Sequence, residues 1–399
     1  MLSLGSMPPA NNFLSTAEIS TERSYPLSLV YCTNCHLVQL AESLPPGDLF
    51  SNYLHMSSAS ESNLRHVQEV ANLILEKFDV DQSKSILEIG SNDGSLLANF
   101  KNIGCNVLGV DPATNLIAAS RQRGIETVPE FFSLAVANEI SEAHGLFDVI
   151  VGLNVVAHTP DITGVLNGVR KLLRPSGTFL IEVAYVVENV LKGQFDTVYH
   201  EHVSCFSLHS LVAACKRAGL MIVDAEKIST QGGSLRVYAQ RDQDVAQPND
   251  RVTRLLSEER ENGFTDHLVY QTVTRRVEDF RTHLRAIVQQ MKEEHGHIVG
   301  LGAPARGVVI LNYCGLDSED ISYVIDDTPL KQGKMVPGVH IPVVGWDRLS
   351  GDSSAAFLVL SWNYVDEIIE KLKCYVPMAT LMVPFPELKV EEYGTSQPR

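Results

Sequence analysis

Apolar positions along this chain follow two rhythms, and the switches between them outline its architecture. Between residues 61 and 78, Leu64, Val67, Val70, Ala71, Ile74 and Leu75 recur at helical spacing. From residue 85 onward, short unbroken apolar runs alternate with amphipathic stretches. Runs 86–89, 107–111, 147–153 and 178–183 read as buried strands. Stretches 95–102, 112–123 and 164–173 read as helices, the last stopped by Pro175 and Gly177. Strands separated by helices imply a parallel sheet covered on both faces. Residues 203–241 add a helix over 208–218 and two strand-like runs, 220–223 and 234–239, with Gly232 and Gly233 turning between them. A polar, linker-like stretch follows over 241–250. After Gly263, the residues Val273, Val277, Phe280, Leu284, Ile287 and Met291 step by helical intervals, the stripe of a long helix packed on its own domain. A second strand–loop–helix series runs through 298–299, 322–326, 355–361 and 379–383. Residues 1–55 read as irregular, punctuated by Pro8, Pro9, Pro26, Pro45 and Pro46, with one strand-like run at 27–31. The expectation is an α/β chain in three parts: a small N-terminal module (1–55), a first α/β unit (56–245) and a second (246–399).

Composition narrows the function. The 399 residues carry 44% hydrophobic and 20% charged side chains, which excludes disorder as the main state. With 32 basic against 48 acidic residues the formal charge is −16. That balance argues against nucleic-acid binding, which needs a basic footprint. No run approaches the ~20 apolar residues of a membrane span, and the first residues show no basic region leading into an apolar one. A cytoplasmic protein is expected. The seven cysteines, an odd number, read as free thiols of a reducing compartment, apart from the pair Cys32 and Cys35.

The chemistry concentrates in four segments. Glu88-Ile89-Gly90-Ser91-Asn92-Asp93-Gly94 follows a strand and opens a helix, where glycines allow close backbone approach and helix-start amides face a ligand. Asp111 ends the next strand, where a carboxylate can bind ribose hydroxyls. Asn92 stands where a dinucleotide site prefers glycine, and the loop is acidic and polar. A cationic nucleoside without phosphate, such as S-adenosylmethionine, suits it better. Asn154 and His158 follow the fourth strand and belong to the same sheet edge, with Phe131 and Phe132 as candidates to stack on an adenine. The densest segment is Phe195-Asp196-Thr197-Val198-Tyr199-His200-Glu201-His202. In an extended segment Tyr199 and Glu201 face one way while His200 and His202 face the other. An imidazole can take a proton from carbon beside a ketone, and a phenol can steady the enolate oxygen. A metal reading of this cluster wants a third ligand. Cys32-Thr33-Asn34-Cys35 is half of a zinc knuckle. Finally, Gly300-Leu301-Gly302-Ala303-Pro304-Ala305-Arg306-Gly307, with Asp326 ending the following strand, reads as a site for a substrate's nucleotide diphosphate or for a nicotinamide dinucleotide.

Taken together, these motifs resemble the S-adenosylmethionine-dependent sugar C-methyltransferases that act on nucleotide-linked keto-deoxysugars. The likeness spans nearly the whole chain. It is carried by the segments just quoted, by Asn154-Val155-Val156-Ala157-His158-Thr159-Pro160-Asp161, by Gly232-Gly233-Ser234-Leu235-Arg236-Val237, by Asn312-Tyr313-Cys314-Gly315 and by Lys331-Gln332-Gly333. The resemblance implies a zinc-binding N-terminal module, a class I methyltransferase sheet and a C-terminal Rossmann-like domain, with the sugar nucleotide between the last two. It implies that His202 removes the C3 proton of a 4-keto sugar, usually linked to thymidine diphosphate. Tyr199, Glu201, His158 and Tyr53 would complete the active site. Glu88, Gly90, Ser91, Asn92, Gly94, Asp111, Pro112, Asn115, Phe132 and Asn154 would hold S-adenosylmethionine. Tyr185, His200, Arg236, Pro304, Arg306, Asn312 and Lys331 would face the substrate. Three departures stand out. The family's earlier Cys-x-x-Cys, some 20 residues upstream of this start, is missing, which leaves Cys32 and Cys35 an incomplete zinc set. Tyr185 stands where relatives often carry histidine, and Ala59 where tyrosine is common. The competing readings are an NAD(P)-dependent oxidoreductase using the second glycine loop and a non-catalytic nucleotide-sugar-binding protein. The oligomeric state stays open.

Overall fold

Continuous apolar runs such as Ser85–Ile89 and Phe147–Leu153 have no solvent-facing side, so they must be covered on both faces. The computed structural model, which describes residues 1–50, 56–245, 247–349 and 355–394, places them at the centre of a seven-stranded sheet. From edge to edge the strands are Leu220–Ile228, Ser234–Arg241, Leu173–Ala184, Phe147–Leu153, Ser85–Ile89, Asn106–Val110 and Thr127–Val128. All run parallel except Ser234–Arg241, which is antiparallel to both neighbours. Strand order reverses between Ser85–Ile89 and Phe147–Leu153, the switch point where α/β sheets open a crevice at their carboxyl edge. Loop 90–94 and Asn154 leave the sheet there. Helix Glu61–Lys77 covers one face through Val67, Val70, Ala71 and Ile74. Its start is set by Ser60, whose Oγ accepts the Asn63 amide at 3.2 Å.

The C-terminal sheet has six strands in the order Val343–Val344, Tyr323–Ile325, Ile298–Leu301, Ala356–Val359, Ala379–Val383 and Lys389–Tyr393. Only the last is antiparallel. Helix His267–His295 packs its buried Tyr270, Val273, Val277, Leu284, Val288 and Met291 inward. Phe280 and Ile287, read as part of the same stripe, are only partly covered. Its Thr274 hydroxyl donates to the Met1 carbonyl at 3.0 Å, so the helix also braces the N-terminal module.

Two readings change. The N-terminal residues, expected to be irregular, form a sheet of Leu2–Met7, Tyr25–Tyr31 and Val38–Leu40. Its first strand hides its alternation because Gly5 and a register break fall inside it. A fourth strand, Ser204–Cys205, comes from the segment just after the histidine cluster, with Val38 opposite Cys205. The polar stretch near 250 leads directly into a helix, Asp250–Glu261, capped by Asn249. Among the described residues no helix is long and apolar enough to cross a membrane.

Candidate active site

A cavity of about 640 Å³ opens at the carboxyl edge of the first sheet and is walled by all three parts of the chain. Asn11 and Phe50 come from the N-terminal module. Glu88, Gly90, Asn92, Asp111, Asn154 and His158 come from the central sheet. Thr197, Tyr199 and His202 come from the histidine cluster, and Pro304, Arg306 and Lys331 from the C-terminal unit.

At the cofactor end, Gly90 sits at φ +70°, and a Cβ there would lie 2.9 Å from Val155 Cγ2. Only glycine meets both demands. Asp111 accepts the Asn92 amide on Oδ2 and the Ala113 amide on Oδ1, each at 2.8 Å, and so fixes the loop against the second strand. Asn92 Oδ1 in turn accepts the Ser57 amide at 2.9 Å. Glu88 is buried at the cavity wall, and its Oε2 has no protein partner. Burial, followed by the charges of Asp111 and Asp93, raises its pKa well above the usual carboxylate range. Burial also raises Asp111, against the pull of its two amide donors. Against its own burial, Asp93 is held low by hydrogen bonds from Ser58 and Ser95 and by Arg123. This wall therefore holds clustered acids, one of them with an unused oxygen. It fits a ligand with ammonium and sulfonium charges and ribose hydroxyls, the donor set of S-adenosylmethionine.

Beside this wall stand four rings in a stack. Phe50 lies 5.3 Å from His158, His158 lies 5.2 Å from His202, and His202 lies 4.0 Å from Tyr199. His202 Nδ1 lies 2.8 Å from the Thr197 carbonyl, which can only accept, so Nδ1 carries the proton. The lone pair of Nε2 then receives the Tyr199 hydroxyl at 2.6 Å. Burial, followed by the neighbouring His158, keeps His202 well below the ordinary histidine range. Burial alone takes His158 down to about 4, and its Nε2 has no protein partner. Both imidazoles are neutral near pH 7.

At the far end the cations are already paired. Arg306 Nη2 meets Asp196 at 3.1 Å, and Lys331 lies 3.7 Å from Asp326 and donates to the Ala303 carbonyl at 2.8 Å. Arg306 Nε is buried without a partner.

Several predicted site residues are placed behind the cavity wall. Glu201 is buried and accepts Asn11 Nδ2 at 3.1 Å, so it touches the cavity only through Asn11. His200 packs edge-on to Tyr25 in the N-terminal module. Tyr185 is buried and donates to Glu259 at 2.7 Å. Arg236 pairs with Glu182 at 2.6 Å and Glu226 at 3.4 Å. Asn312 donates to the Val308 and Pro337 carbonyls. Gly94 caps helix Ser95–Asn102, and neither it nor Asn115 is on the wall. Ser91, Pro112, Phe131 and Phe132 are on it. Tyr53 lies outside the described residues. The wall also includes His66, Asn363 and Tyr364, which sequence reasoning passed over. The last two follow strand Ala356–Val359 at a sheet's carboxyl edge, a rule that could have found them.

Cys32 and Cys35 form a tight turn in which the amides of Cys35 and Asn34, turned toward the Cys32 sulfur, lower its pKa. Two thiols do not make a tetrahedral site. Among the described residues no group of three or more His, Cys, Asp or Glu is arranged to hold a metal.

The nucleoside-type loop, the acid pairing at the second strand and the neutral imidazole beside them define a methyltransferase of the α/β class. Three domain families match in series: a putative zinc binding domain over residues 1–50, a methyltransferase domain over 57–225 and a C-methyltransferase C-terminal domain over 229–386. C-methyltransferase NovU from Streptomyces niveus is 36% identical over 392 residues, covering 98% of this chain and 93% of that protein. A ubiquinone biosynthesis O-methyltransferase from Rhizobium etli is 25% identical over 172 residues, covering 40% and 69%. Magnesium protoporphyrin IX methyltransferase from Synechocystis superimposes with a TM-score of 0.36 at 14% identity, over 45% of this chain and 83% of that one. The chain belongs to the S-adenosylmethionine-dependent sugar C-methyltransferase family, and it is an S-adenosylmethionine-dependent C-methyltransferase.

Two predictions follow from the electrostatics. A cation beside Glu88 favours its ionised form, so S-adenosylmethionine should bind more tightly as pH rises and should release a proton on binding. Calorimetry in buffers of different ionisation enthalpy measures this. Glu88→Gln should abolish the proton release and weaken binding about 10–100-fold, as loss of a charge-assisted hydrogen bond requires. The second concerns stability. The unfolded chain protonates His158 near 6.5, whereas the folded chain resists until about 4. Stability is therefore full above pH 6.5 and falls as pH drops toward 4, by about 3 kcal/mol from this residue. Thermal melts across that window should show the fall, and His158→Gln should flatten it.

Proposed function

We propose that this enzyme methylates C3 of a nucleotide-linked 4-keto-deoxysugar, with thymidine diphosphate as the nucleotide and His202 as the base. The observation that carries this reading is the neutral His202 imidazole, its Nε2 lone pair turned to Tyr199, in a cavity that reaches both the acidic cofactor wall and Arg306. Carbon alkylation needs a carbanion equivalent, and a ketone supplies the acidity next to it. S-adenosylmethionine supplies the electrophilic methyl when bound. The substrate takes the place of the Tyr199 hydroxyl at Nε2, and Nε2 accepts the C3 proton. The C–H electron pair becomes the C3–C4 double bond as the carbonyl oxygen takes up negative charge. The displaced Tyr199 hydroxyl donates to that oxygen, a strong contact in a dry site. Thr197 steadies the imidazolium through Nδ1; as the carbonyl re-forms, the C3–C4 pair makes the new bond from C3 to the methyl, whose bond to sulfur breaks with its electron pair left on the sulfur. Arg306 Nε, unpartnered at the far end, suits a diphosphate oxygen.

The oxidoreductase reading is less well supported. Asp326, the acid a dinucleotide ribose would need, is already paired with Lys331, whereas Asp111 has no such cation among the described residues. A titration with NADH beside S-adenosylmethionine separates the two readings.

Incubation with a panel of dTDP-4-keto-deoxysugars, followed by mass spectrometry and NMR, should show one added methyl on C3. Transfer to oxygen or nitrogen, or to none of the panel, would sink the assignment. His202→Ala should lose about 10²–10⁴ in turnover while still binding S-adenosylmethionine. Because the base works neutral and its pKa is depressed, wild-type turnover should persist as pH falls through 6.5 and decline only below it. A pH–rate profile reads this directly.

A further inference from the structure

The segment that carries His202 is gripped at its other end by the C-terminal unit. Phe195 is buried among Phe280, Tyr313 and Phe385, with ring centroids 5.2, 5.1 and 5.9 Å away. The next residue, Asp196, has no exposed surface, and both its oxygens are taken by donors from that same unit. Arg306 Nη2 reaches Oδ1 at 3.1 Å and Trp362 Nε1 reaches Oδ2 at 2.7 Å. Arg306 is itself immobilised. Its Nη1 donates to the Gln231 carbonyl at 2.8 Å, and its guanidinium lies 4.6 Å over the Trp362 ring. The residue after Asp196 is Thr197, whose carbonyl receives His202 Nδ1. A hydrogen-bonded line thus runs from Arg306 and Trp362 through Asp196 and one peptide unit to the imidazole, and from its Nε2 to Tyr199.

We propose that Asp196 is a positioning residue: anchored by Arg306 and Trp362, it fixes the Thr197 carbonyl and thereby the Nδ1–H tautomer and orientation of His202. The proposal rests on the reading of His202 as the base. An ion pair this deeply buried is a poor source of net stability, so its value lies in geometry. A carbonyl displaced by about 1 Å leaves hydrogen-bonding range, and such a misplacement can cost about 10²-fold in rate. With the carbonyl gone the ring can carry its proton on Nε2, the nitrogen that has to be bare.

The test compares wild type with Asp196→Asn and Trp362→Phe, each labelled with nitrogen-15 histidine and read by long-range proton–nitrogen correlation. His202→Gln assigns the signal. Wild type should show a single Nδ1–H tautomer. Asp196→Asn retains one acceptor oxygen for two donors, so it should show mixed tautomers and lose about 10–100-fold in kcat, with KM for S-adenosylmethionine unchanged. Trp362→Phe keeps an aromatic ring but removes one donor, and should shift the signal less, in the same direction. An Nε2–H wild type, or variants that keep the wild-type histidine signal whatever their turnover, would overturn the proposal. If Asp196→Asn does not fold, Trp362→Phe decides alone. If wild type methylates no sugar of the panel, the substrate assignment fails while the tautomer signal still judges Asp196.

Discussion

The stretch from Gln194 to Cys205 has to satisfy three bodies at once, and the site exists because it does. Phe195 and Asp196 are held by the C-terminal unit. Thr197, Tyr199 and His202 face the cavity. Glu201 reaches Asn11, and Ser204–Cys205 adds a strand to the N-terminal sheet. Each grip fixes the stretch in a different direction, so neither ring of the His202–Tyr199 pair depends on its own rotamer preference alone. The density of polar groups here, most of them buried, follows from this. A buried donor or acceptor left unpaired costs about 1–3 kcal/mol; within the stretch Asp196, Thr197 and His202 are paired, whereas both His200 nitrogens and Glu201 Oε2 are not. Outside the stretch, Glu88 Oε2, His158 Nε2 and Arg306 Nε also lack a protein partner, and these three residues line the cavity.

How much of this was readable in the sequence depends on whether the signal is local. The two α/β units were, because buried parallel strands announce themselves as apolar runs and their glycine loops follow directly. Glu88, Asp111 and His158 were, because each follows such a strand, and Tyr199 and His202 were, because they belong to an unusually dense polar segment that resembles the family's motif; the structure brings all five to one cavity. The N-terminal sheet was not, since strand Leu2–Met7 is interrupted by Gly5 and strand Ser204–Cys205 is too short to show a period. Tyr185 and Arg236 belong to conspicuous motifs yet spend their polar atoms on Glu259 and Glu182. Both partners are distant in sequence, and nothing local distinguishes a side chain that faces a ligand from one that faces a carboxylate. The Thr197 carbonyl was invisible for a deeper reason. Its role is that of a main-chain atom, and residue identity says nothing about it.

The two glycine loops are closed by one backbone device. In each, a carboxylate at the end of the second strand accepts a loop amide: Asp111 takes Asn92, and Asp326 takes Ala303. Each uses its other oxygen on an amide two residues further along the chain, Ala113 and Thr328. The backbones are thus closed in the same way, and only the side chains around them differ. Around Asp111 the neighbours are acids, one of them Glu88 with an oxygen to spare. Around Asp326 the neighbour is Lys331, and Arg306 stands on the helix that the loop opens. The first loop is bordered by acids and the second by two cations, each of them paired with a carboxylate. On the reading proposed above, a cationic donor beside the acids and an anionic acceptor beside Arg306 and Lys331 avoid the like-charge contacts that the reverse arrangement would make.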